Sequence, residues 1–171
     1  YGSNRLSEDL NFTAGWTFSH ETLSRLGPCV VQGLKARYGL TVEVSDPVRD
    51  TGNVDTWKVK IITRPERRDL PSQKINVDIS AIPSYERRPM LLRNRYGVEI
   101  GTSGLILQAQ SREEILADKI VALALRPNRL KHRDLWDIAW LKQQNITLPL
   151  ILVPKKVADH QYELDEFIAL L

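Results

Sequence analysis

Between Thr41 and Ser80 the chain alternates apolar and polar residues, and beyond Ser111 that period of two gives way to helical spacing. Val42 and Val44, then Val59 and Ile61, then Val77 and Ile79 fall two apart, as half-buried strands require. The runs Leu40 to Val44 and Val54 to Thr63 read as antiparallel strands joined through a Gly52-Asn53 turn. A third strand, Lys74 to Ile82, ends at Pro83. A long basic loop follows, and Gly104 to Gln108 adds a further strand. Strands followed by helices define an α+β domain. Residues 1–110 are expected to form its sheet region and residues 111–171 its helical C-terminal region.

Two of these phrases set a carboxylate between apolar neighbours. In Arg5 to Phe12, a strand is expected over Glu8 to Phe12. Asp9 and Asn11 then face one way while Leu10 and Phe12 face the core. In Ile75 to Ser80, Asp78 lies between Val77 and Ile79. Taken alone, Asp78 fits a solvent-facing strand position equally well. Oxygen ligands presented together from neighbouring strands are what a magnesium ion holding nucleotide phosphates requires.

The helical part carries a second anomaly. Ser111 and Glu114 form a capping box, and its helix runs to about Leu125 before Pro127. A second helix starts near Arg133, and a weaker helical tail ends in Phe167, Leu170 and Leu171. On a wheel of about 100° per residue, Lys119 falls between Ile115 and Leu123, inside the apolar face. Asp134 falls between Ile138 and Leu141, and Asp137 borders the same stripe. Charges on an apolar face need partners or a ligand, because an unpaired buried ion costs several kcal/mol. One reading is a structural Lys119–Asp134 pair. The other sets Lys119 at a phosphate, with Asp134 or Asp137 orienting it or accepting a proton. An earlier helix, Thr17 to Tyr38, is expected to kink or divide at Pro28.

The net charge of +3 is mild, but the arginines cluster. Arg64, Arg67 and Arg68 precede the Asp78 strand; Arg87, Arg88, Arg93 and Arg95 follow it. Arg126, Arg129, Lys131, His132 and Arg133 lie between the later helices. Such loops suit either solvent or the phosphates of a polynucleotide. The three histidines lack metal-ligand spacing, and neither a Gly-rich phosphate loop nor a nucleophile elbow is present. No apolar run approaches the length of a membrane span. The single Cys29 rules out an internal disulfide framework and fits a cytoplasmic location.

Tyr1 to Phe12, Lys74 to Ser80, Glu113 to Lys119 and His132 to Ile138 together resemble the AbiEii/AbiGii toxin family in order and spacing. That family comprises nucleotidyltransferase-like toxins of type IV toxin–antitoxin and abortive-infection systems. The resemblance implies a minimal nucleotidyltransferase fold, a mixed sheet with flanking helices and a helical C-terminal half. It implies transfer of a nucleotide from a nucleoside triphosphate with magnesium, an RNA acceptor such as transfer RNA, and a cognate antitoxin. By position it makes Asp9, Asn11 and Asp78 the metal ligands and Asp78, Lys119, Asp134 and Asp137 the catalytic set. Arg5, Ser7 and Lys119 become nucleotide contacts. Two departures stand out. The family carries Asp where this chain has Asn11, whose amide oxygen ligates a cation without adding negative charge. The family's glycine-rich phosphate turn is expected upstream of Tyr1, so the chain is expected to begin inside the family domain. Reduced activity follows from both, and the alternative class is a silent nucleotide- or RNA-binding module of the same fold.

Overall fold

The computed structural model describes residues 9–49, 53–67, 69–92, 101, 104–126 and 131–171. Two compact units divide the chain, residues 1–83 and 84–171. The first is built on a mixed sheet. Its strands are β1 (Asp9–Thr13), β2 (Thr41–Val44), β3 (Val48–Arg49), β4 (Val54–Ile62) and β5 (Gln73–Ser80). The order is β1-β5-β4-β2, with β3 also pairing with β4. β1 runs parallel to β5, and the other pairs are antiparallel.

Alternation sorts this sheet into two unlike faces. Val42, Trp57, Val59, Val77 and Ile79 form a buried cluster on one face. Helix α1 (Leu26–Tyr38) covers it with Leu26, Val30, Val31 and Leu34, and a short 3-10 turn at His20–Leu23 adds Leu23. The helix break comes before Pro28, which sits in the first turn of α1, where its missing N–H forfeits no intrahelical bond. Gly39 ends α1 at φ 66°, a left-handed conformation natural to glycine. The expectation that Leu10 and Phe12 are buried is overturned, since both are 52% exposed. Among the described residues β1 is an edge strand with β5 as its one neighbour, and the α1 layer packs over β2, β4 and β5 instead.

The second unit holds a hairpin and four helices. β6 (Arg87–Leu91) and β7 (Ile106–Gln110) pair with each other in a sheet of their own. The segment read as a basic loop is therefore strand from Arg87. Its Pro89 is tolerated because, among the described residues, β6 has a ladder on one side only. Helices α2 (Arg112–Leu125), α3 (His132–Gln143), α4 (Leu152–Asp159) and α5 (Leu164–Leu170) follow. Leu116, Leu141 and Ile146 join α2 to α3, while Val121, Val157 and Phe167 join α2 to α4 and α5. Among the described residues no helix is long and apolar enough to cross a membrane.

Candidate active site

Register brings the strand-borne candidates onto neighbouring positions of two adjacent strands. Asp9 lies opposite Asn76, and Asn11 lies directly opposite Asp78. Neighbouring strands share the pleat, so Asp9, Asn11 and Asp78 point from one face of the sheet, the one opposite α1. Thr56 is the partner of Asp78 on the other side, and its hydroxyl donates to Asp78 Oδ1 at 2.7 Å. That bond orients the carboxylate through one of its two oxygens. Asp9 and Asp78 are half-buried and Asn11 is exposed.

The donor set fits a hard divalent cation. Magnesium is held in proteins by one or two carboxylates, with substrate phosphates and waters completing the shell. Asp9 and Asp78 would supply the carboxylates and Asn11 a neutral oxygen. Among the described residues no group of three or more His, Cys, Asp or Glu side chains forms a fuller cage.

The charged helix residues form a separate cluster within the second unit. Lys119 Nζ lies 3.1 Å from Asp134 Oδ1 and 2.7 Å from Asp137 Oδ2. Asp134 is 3% exposed and also accepts from Arg126 Nη1 through its second oxygen. Burial alone would raise the Asp134 carboxyl, but the bonds and positive charge of Arg126 and Lys119 prevail and hold it below the usual range. Lys119 is less buried than expected, with 27% of its side chain exposed. Its ammonium is thus clamped by two carboxylates while one side stays open to solvent.

A third constellation was not anticipated. Lys156, only 1% exposed, bonds Glu114 Oε1 at 2.6 Å and Asp118 Oδ1 at 3.1 Å. Glu114 also accepts from the Tyr85 and Glu86 amides and from Ser84 Oγ. The capping box is therefore half realised. Ser111 Oγ accepts from the Glu114 amide at 3.0 Å, but the Glu114 carboxylate serves the incoming chain and α4 instead of the cap. Burial drives the Asp118 carboxyl upward against the pull of Lys156. Burial and a bond to Asp159 push the Tyr85 phenol up to about 12. The signal was available, because Lys156 falls beside Val153 and Val157 on the apolar side of α4.

Arg5 and Ser7 lie outside the described residues, as do Arg68, Arg93, Arg95 and Arg129. Of the basic clusters, Arg67 forms a two-bond pair with Asp69 and Arg126 serves Asp134. Arg88 lies 3.5 Å from Glu113. Asp78 belongs to the first unit, and Lys119, Asp134 and Asp137 to the second.

The model of the AbiEii nucleotidyl transferase toxins of type IV toxin–antitoxin systems matches residues 1–166. No curated protein sequence matches the chain. Among solved structures, MenT4, a nucleotidyltransferase toxin of Mycobacterium tuberculosis, superposes with a TM-score of 0.57 at 18% identity. The match covers 92% of this chain and 52% of MenT4, so the chain spans about half the length of that structure.

Proposed function

The chain belongs to the AbiEii nucleotidyl transferase toxin family of type IV toxin–antitoxin systems, and from that premise we propose that it transfers a nucleotide from a nucleoside triphosphate to a hydroxyl of an RNA acceptor. The observation that carries the reading is the shared sheet face of Asp9, Asn11 and Asp78. Transfer RNA is the acceptor class the sequence resemblance suggests, and a cognate antitoxin is the expected partner.

The chemistry proposed is a single displacement. The acceptor oxygen attacks the α-phosphorus, its bond to the β-phosphate oxygen breaks, and diphosphate leaves. The hydroxyl proton passes to the Asp78 carboxylate, which Thr56 orients. A divalent cation held by Asp9, Asn11 and Asp78 would offset phosphate charge. The sequence resemblance makes Lys119 a nucleotide contact, and within the second unit Asp134 and Asp137 fix its ammonium. The missing charge at Asn11 weakens cation binding, so slow transfer is expected, with Asn11→Asp raising it at low magnesium.

The test is incorporation of each labelled nucleoside triphosphate into total transfer RNA with magnesium. Asp78→Ala should abolish labelling. Labelling that survives Asp78→Ala unchanged would remove this face from the chemistry. Silence with every triphosphate and RNA, in the Asn11→Asp variant as well, would favour the second reading, a binding module. Asn11 is the observation behind that second reading.

A further inference from the structure

The sheet face that carries Asp78 also carries three lysines on β4 and β5. Thr56 lies opposite Asp78, Lys58 opposite Asn76, and Lys60 opposite Lys74. Each step of two residues moves about 6.6 Å away from the carboxylate along the strands. Asp78 and Asn11 therefore share one row of the face, Asp9 and Lys58 flank Asn76 in the next, and Lys60 and Lys74 stand in the third beside Glu43. Lys60 and Lys74 stand side by side, an arrangement that destabilises a sheet by like-charge repulsion. Glu43 answers one of them, bonding Lys60 Nζ at 2.9 Å. Lys58 and Lys74 are exposed, and among the described residues neither has an ion-pair partner. The reverse face is pinned by Trp57, Val59 and Val77 in the core, so the register cannot slip to relieve the repulsion.

Resting on the function proposed above, we propose that Lys58, Lys60 and Lys74 form a phosphate-binding row for the sugar–phosphate backbone of the RNA acceptor. From Asp78 to Lys74 the row runs about 13 Å along the strand, and from the level of Asp9, opposite Asn76, about 6.6 Å. Lysines are mobile point charges and suit backbone contacts that position a strand without reading bases. The face would lead the acceptor strand toward Asp78.

The probe is a fluorescein-labelled single-stranded RNA oligonucleotide, bound without any nucleoside triphosphate across a range of salt concentrations. Lys58→Gln and Lys74→Gln should each weaken binding alike for different base sequences. Each should also flatten the slope of log affinity against log salt by about 0.7. Lys35→Gln, the same charge change on the exposed end of α1 across the sheet, should leave the slope unchanged. Thermal melting checks that the variants fold, and Lys74→Gln should melt no lower than the parent because it removes a repulsion. A wild-type salt slope in the double lysine variant would overturn the row. So would a rise in KM for the triphosphate with RNA affinity intact, which would make these lysines a triphosphate subsite. Displacement of RNA by polyglutamate at equal charge concentration would instead assign the row to an acidic protein and likewise overturn it. If no nucleotide is transferred yet the slopes fall as stated, the row stands and the transfer reading falls. If transfer occurs and the slopes do not change, the reverse holds.

Discussion

Asp134 concentrates more charge chemistry than any other described side chain of α3. It is nearly fully buried, yet two cations reach it, one from each side. Asp134→Asn keeps the shape and removes the charge, leaving Lys119 and Arg126 facing an amide. A loss of about 2 kcal/mol is expected in urea denaturation, the scale of charged hydrogen bonds in a partly screened site. The pH dependence has a definite sign. The folded carboxyl is held below its ordinary value of about 3.9, so its stabilisation is complete above that value and is lost as pH falls through the folded pKa. Asp134→Asn should lack this acid limb. Denaturation midpoints that decline in parallel for both proteins below about pH 4 would refute the assignment. Helical spacing was enough to single out Lys119, Asp134 and Asp137 from the sequence. Arg126 was not legible, because it follows the last residue of α2 and reads as part of a basic loop. Thr56 was not legible either: only strand register sets it opposite Asp78.

At the level of elements, the apolar period carried β2, β4, β5, α2 and α3, while Gly52 of the expected turn lies outside the described residues and β3 intervenes between β2 and β4. What failed was what depends on neighbours. β1 has the pattern of a buried strand and lies at an edge, and β6 has the composition of a loop and lies in a hairpin. Helix ends show the same division. α3 and α4 both end in a left-handed residue, Asn145 at φ 60° and Gln161 at φ 62°. The Ile146 amide reaches Leu141 O, and the Tyr162 amide reaches Val157 O, which closes each end in the same way. Asparagine tolerates that conformation better than glutamine. Gln161→Gly should therefore raise stability by about 0.5–1 kcal/mol in thermal melting, and an unchanged or lower melting temperature would show that α4 gains nothing from glycine there. The buried Lys156 holds α4 to α2. Lys156→Met should cost about 3 kcal/mol because Glu114 and Asp118 lose their shared cation. Adding Glu114→Gln should recover part of that loss, and a double variant as unstable as the sum of the single ones would deny the coupling.

Across the whole molecule, each of the two units closes a core of its own. Residues 1–83 bury Trp57, Val59, Val77 and Ile79 under α1. Residues 84–171 use α2 as a common wall, with Leu116 facing α3 and Val121 facing α4 and α5. Several polar links join parts of the second unit to one another: Glu114 binds residues 84–86, Tyr85 binds Asp159, and Lys119 binds α3. A segment with its own apolar core and its own ion pairs has what independent folding requires, although at this size the margin is narrow. Residues 84–171 expressed alone should therefore give a helical circular dichroism spectrum and a single cooperative thermal transition. Lys156→Met in the same fragment should abolish that transition, since a small domain has little stability to spare. The fragment keeps Lys119, Asp134 and Asp137 but lacks Asp78, so it should not label RNA. A disordered spectrum would mean that the second core is insufficient by itself and that its stability depends on the first eighty-three residues.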